Sequence, residues 1–170
     1  MRRASMTLAV GLGLLPLLFA AAGHAAGPVR TGTSESADAA APIDRKIEEI
    51  ARTYAGTDIF LTDVRFLGLV ERLRFKVQDS AYIKALQSGG VPPAKLVAEL
   101  KDAIMGHKAM ILLYNRDTKT ALSDELVAIA NDAGIPVVGL GEKLPTGLNH
   151  QQWTLRQLNA IHGALNEASP

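Results

Sequence analysis

Two acidic side chains, Asp63 and Glu142, follow short apolar runs in the chain. Asp63 closes Ile59-Phe60-Leu61-Thr62-Asp63, and Glu142 comes just after Val137-Val138-Gly139-Leu140-Gly141. A further run at 109–114 ends in Tyr114 and is followed by Asn115. If these runs are parallel strands, the residues after them gather at the carboxyl edge of the sheet, where open α/β sheets bind ligands. Two carboxylates emerging there from different strands can offer oxygen to one divalent ion. Taken singly, Asp63 can equally cap a following helix, and Glu142 can be a solvated loop acid.

Other chemistries find little support. Cysteine is absent, which removes disulfides, thiolate metal sites and cysteine nucleophiles together. There is no Gly-x-Ser-x-Gly elbow, no phosphate loop, and no third glycine to complete a dinucleotide fingerprint around Gly139 and Gly141. Beyond residue 25 the histidines are His107, His150 and His162, none of them in a His-x-x-x-His or His-Glu-x-x-His pair. No nucleophile–base pair is legible, so an enzyme is not expected. A net charge of +1 and 5% aromatic residues give neither the basic surface nor the stacking platform that nucleic acid requires.

The elements that must position the two acids can be read from periodicity. Ile43, Ile47, Ile50 and Tyr54 recur at helical spacing, and Gly56 stands where that helix stops. Asp58 to Thr62 is a short β-prone run, Leu67, Val70 and Leu73 predict a helix, and Arg74-Phe75-Lys76-Val77 predicts a second strand. Gly89-Gly90-Val91-Pro92-Pro93 is a loop leading into a helix with the stripe Leu96, Leu100, Ala103 and Ile104, closed by Gly106. The run at 109–114 is apolar enough to be covered on both faces. Leu122, Leu126, Ile129 and Ala130 make the next helix, ended by Gly134-Ile135-Pro136; the run Val137-Val138-Gly139-Leu140 is the fourth strand. Asn149, with Gln152 placed to return the bond, caps a last helix whose inward residues are Trp153, Leu158, Ile161 and Leu165. Strands alternating with helices predict an α/β fold of three layers, a four-stranded parallel sheet with helices on both faces.

With 48% hydrophobic and 21% charged residues among 170, the composition is that of one globular domain. Its start is of another kind. Met1-Arg2-Arg3 precedes a short apolar segment ending near Ala22, and small residues follow at Gly23-His24-Ala25. This reads as a secretory signal peptide over 1–25, with a retained membrane anchor as the alternative. Its removal takes away two arginines and shifts the net charge from +1 to −1. Residues 26–42, rich in Gly, Ser, Thr, Ala and Pro, are expected to be a flexible lead-in to the domain at 43–170.

Several stretches, taken in order, resemble one family. They are Tyr54-Ala55-Gly56-Thr57, Thr62-Asp63, Leu112-Leu113-Tyr114-Asn115, and the segment from Ala130 through Ala133-Gly134-Ile135-Pro136-Val137-Val138-Gly139. Glu142-Lys143-Leu144-Pro145-Thr146-Gly147 and Gln151-Gln152-Trp153 complete the set. The chain is similar to the periplasmic zinc/manganese-binding proteins of metal ABC transporters, over roughly residues 43–165. Such proteins have two lobes joined by a long helix, with the metal between them. The resemblance covers the second lobe, with 43–55 as the end of the joining helix; the first lobe, which supplies two histidines, has no counterpart. It implies sheet order 2-1-3-4 and places the second lobe's metal ligands on Asp63 and Glu142. Asp63 is shorter than the family's usual Glu or His, and Val64 stands where a proline commonly follows Glu.

The resemblance therefore implies an exported lobe that takes Zn²⁺ or Mn²⁺ as transported ligand, weakly because two carboxylates leave the coordination shell incomplete. Its partners would be an ABC permease and a separately encoded N-terminal lobe. The alternative is a periplasmic interaction or structural module, a truncated remnant that binds no metal.

Overall fold

The computed structural model describes residues 33–169, with side chains from residue 40 onward. The segment read as a signal peptide lies outside these residues. Among the described residues no helix is long and apolar enough to cross a membrane.

The order of elements is α1 (Thr33–Tyr54), β1 (Asp58–Leu61), a 3-10 turn (Val64–Phe66), α2 (Leu67–Arg72), β2 (Lys76–Val77), α3 (Ser80–Gln87), α4 (Ala94–Met105), β3 (Leu112–Asn115), α5 (Ala121–Asp132), β4 (Val137–Leu140) and α6 (His150–Ala168). The four strands form one all-parallel sheet in the order β2-β1-β3-β4. This is the three-layer α/β arrangement expected from the alternation of strands and helices. On one side α1 packs on α6, and the ion pairs Asp44–Arg72 and Glu48–Arg74 fasten α1 to α2 and the turn after it. On the other side α4 packs between α3 and α5.

Strands β2 and β3 are shorter than the runs read at 74–77 and 109–114, Arg74 standing in left-handed backbone, and two larger features differ from the sequence reading. Helix α1 starts at Thr33, so the part of the expected lead-in covering 33–42 is helical. Pro42 lies inside it and lacks the N–H that would bond four residues back, so one intrahelical bond is missing there. The second feature is α3, eight residues that were not anticipated. Asp79 caps it by accepting from the Tyr82 N–H at 2.9 Å, and Tyr82 and Ile83 are buried beneath it.

The core is mainly aliphatic, with Phe60 fully buried in it and Phe66, Phe75, Tyr82 and Trp153 also buried. Ile50, Ile59, Leu73, Ile104, Ile111, Leu112, Leu113, Leu126 and Leu140 are fully buried. Strand β3 is covered on both faces and flanked on both edges, and its register fixes the site. Leu61 pairs with Leu113 and Leu113 with Val138; Asn115 pairs with Leu140. Side chains alternate faces along a strand. Asp63 and Asn115, each two residues beyond the Leu61–Leu113 pair, therefore belong to the same face, and Glu142 lies two residues beyond Leu140 in the same phase.

The return turns on the opposite edge use left-handed backbone. Gly56 and Gly134 adopt it at φ 80° and 72°, while Arg74 and His107 do so at 58° and 51° without being glycine. His107 thus lies at the amino edge, away from Asp63 and Glu142.

Candidate functional site

β1 feeds a crossover to β2 on one side, whereas β3 feeds a crossover to β4 on the other. The chain therefore reverses its winding between β1 and β3, and a crevice opens beyond their carboxyl ends. Asp63 and Asn115 stand at that crevice, and Glu142 arrives beside them from β4.

Asn115 is the centre of the cluster and is 2% exposed. Its Oδ1 accepts from the Asp117 N–H at 2.9 Å, which fixes the amide with its nitrogen towards the acids. Nδ2 then donates to Asp63 Oδ2 and to Glu142 Oε1, each at 2.8 Å. The two carboxylate oxygens are consequently no more than twice 2.8 Å apart. The two acids named from the sequence are brought together on Asn115, which the sequence marks only as the residue after the third apolar run.

Each acid has other duties. Asp63 Oδ1 accepts from the Arg65 N–H at 3.0 Å and so caps the 3-10 turn, the local role that its type alone allowed. The Arg65 guanidinium donates from Nη1 to Glu142 Oε1 at 2.7 Å and to Thr118 Oγ1 at 3.1 Å; its Nε lies 3.7 Å from Asp63 Oδ1. The hydrogen bond to Glu142, and then the charge of Asp63, raise the Arg65 pKa above its ordinary value. Burial first, then the charges of Asp79 and Asp63, push the Tyr82 phenol up.

A third acid, Asp117, stands at the same edge and was not singled out from the sequence. Its Oδ2 accepts from the N–H groups of Glu142 at 2.6 Å and Lys143 at 2.8 Å, holding the loop that carries Glu142. These bonds, that of Lys143 foremost, lower the Asp117 pKa. A depressed carboxylate stabilises the fold above its unfolded pKa, and the contribution is lost as pH falls through the folded value. Asp117→Ala should therefore lower Tm at neutral pH and converge with the unaltered protein in acid, below both values. Thermal melts from pH 7 downward check this; a difference that persists unchanged in acid contradicts it.

The loop after β4 is packed as well as bonded. The Arg116 guanidinium stacks over Trp153 at 4.3 Å from the ring centroid. Gly141 passes directly beneath: a Cβ there would lie 2.8 Å from Arg116 Nε and 3.0 Å from Trp153 Cζ2. Its N–H donates to Gln157 Oε1 at 2.7 Å, and the Asn149–Gln152 capping box read from the sequence forms at the start of α6. Together these contacts set where Glu142 emerges.

Among the described residues no histidine joins the cluster. His150 is exposed on the first turn of α6, and His162 faces Lys46 with Nδ1 2.8 Å from Nζ. Among the described residues no group of three or more His, Asp or Glu side chains is arranged to hold a metal ion. Next to the acids a cavity of about 410 Å³ opens between β1, α3 and α5. Asp63, Arg65, Asn115 and Thr118 form its polar end, and Leu86, Val91 and Leu122 its apolar wall.

Comparison with protein-family models, with curated proteins and with solved structures finds no match for the chain.

Proposed function

We propose that the chain provides an exported lobe of the zinc/manganese solute-binding type, which presents Asp63 and Glu142 to a divalent cation as transported ligand. The observation that carries this reading is the convergence of the two acids on Asn115 Nδ2, at the switch point of a parallel sheet. They come from strands 1 and 4 and meet across strand 3, in the sheet order that the resemblance implied. The lobe offers two oxygen ligands of its own. Water or donors from a partner complete the shell, so the lone lobe binds weakly. Oxygen donors alone suit Mn²⁺; a Zn²⁺ site would draw imidazole from a histidine-bearing N-terminal lobe before delivery to an ABC permease.

Arg65 favours a second reading, a periplasmic interaction or structural module that binds no metal, because a cation of the protein itself already lies against both acids. Calorimetry with Mn²⁺ and Zn²⁺ on the mature chain separates the two. Weak binding that disappears in Asp63→Ala and in Glu142→Ala supports the first; no binding by any of the three proteins supports the second, and tight binding that survives both substitutions excludes the first.

A further inference from the structure

We infer that Arg65 is the built-in counter-ion of the Asp63–Glu142 pair, which a divalent cation must displace and which sets the affinity of this edge. The inference rests on the metal-binding reading and adds the residue that regulates it.

Geometry gives Arg65 this part. Its Nη1 shares Glu142 Oε1 with Asn115 Nδ2, at 2.7 Å and 2.8 Å, and its Nε approaches Asp63 Oδ1 at 3.7 Å. A metal bound to these oxygens at about 2.0–2.2 Å would lie within a few ångströms of the guanidinium, and two cations repel strongly at that separation. Asn115 is neutral and can stay in place. Arg65 cannot keep its position once the ion arrives.

It is also built to leave. The side chain is 48% exposed, so its ion pairs are partly screened and weak. One side of it borders solvent and the other the 410 Å³ cavity, so the guanidinium has room to swing away while its backbone stays in the turn capped by Asp63. A singly charged ion brings no more charge to the pair than Arg65 already supplies. A doubly charged ion does, so the edge discriminates by charge before any partner engages it.

The test is Arg65→Met, which keeps an unbranched stem and removes the charge at an exposed position where folding is not at risk. Titration of the exported chain with Mn²⁺ alone is expected to give about tenfold tighter binding in the variant. The gain should vanish when Asp63→Ala is added. Metal binding by Arg65→Met but not by the unaltered chain would also support the inference, while removing the reading that the lone lobe binds metal. If the unaltered chain binds through Asp63 and Glu142 and Arg65→Met stays within about twofold of it, the inference fails and the reading stands. Absence of binding in both proteins overturns the two together, and a gain that survives Asp63→Ala overturns the inference.

Discussion

Asn115→Leu is expected to destabilise the fold by about 2–4 kcal/mol. Leu keeps the branched outline of Asn at a position only 2% exposed, so no cavity opens there. It removes the donor that Asp63 Oδ2 and Glu142 Oε1 share and the acceptor of the Asp117 N–H. The two carboxylates then face each other with Arg65 alone to neutralise them. Urea unfolding gives the value from the shift in midpoint at constant slope. The isosteric Asn115→Asp provides the comparison: it adds a third negative charge, so its stability should recover as a divalent cation is added, whereas that of Asn115→Leu should not.

The second large effect is expected one turn of the pleat below. Leu113→Ala should cost about 3 kcal/mol. Leu113 is fully buried and pairs with Leu61 on one side and Val138 on the other, so the cavity opens between three strands and has few routes to collapse. Glu142→Ala, on a side chain 41% exposed, should change stability by less than about 1 kcal/mol. The contrast between these two variants, read by the same unfolding experiment, separates residues that build the edge from residues presented on it.

The strands and most helices were legible because their signals are local. The apolar runs ending at Tyr114 and Leu140 are too short and too uniformly apolar for surface helices, and Gly134-Pro136 marks the boundary between α5 and β4. Helix α3 was overlooked although Asp79 is an ordinary N-cap residue; at eight residues it is too short to show a clear helical stripe. The start of α1 was missed for the opposite reason, since Pro42 and the Ser- and Ala-rich composition before it look like a linker. Asp63 and Glu142 were placed by a positional rule, the carboxyl end of a parallel strand, together with the family resemblance. Asn115 obeys the same rule, but nothing local says that its amide will bridge two acids from other strands. Arg65 carries no sequence signal of its role, because its partner Glu142 is 77 residues away and becomes its neighbour only through the sheet order. Asp117 follows from register: once Asn115 lies opposite Leu140, two residues further on Asp117 must meet Glu142.

Because the proposed cation site would be formed by Asp63 and Glu142 around Asn115, the most direct measurement is paramagnetic broadening by Mn²⁺ in ¹H–¹⁵N NMR spectra of the chain. At substoichiometric Mn²⁺, amide signals should fade around residues 62–65, 115–118 and 141–143 together, with those around His107 at the opposite edge unaffected. Broadening centred on His150 or His107, or an even loss across the surface with no focus at the carboxyl edge, would contradict it.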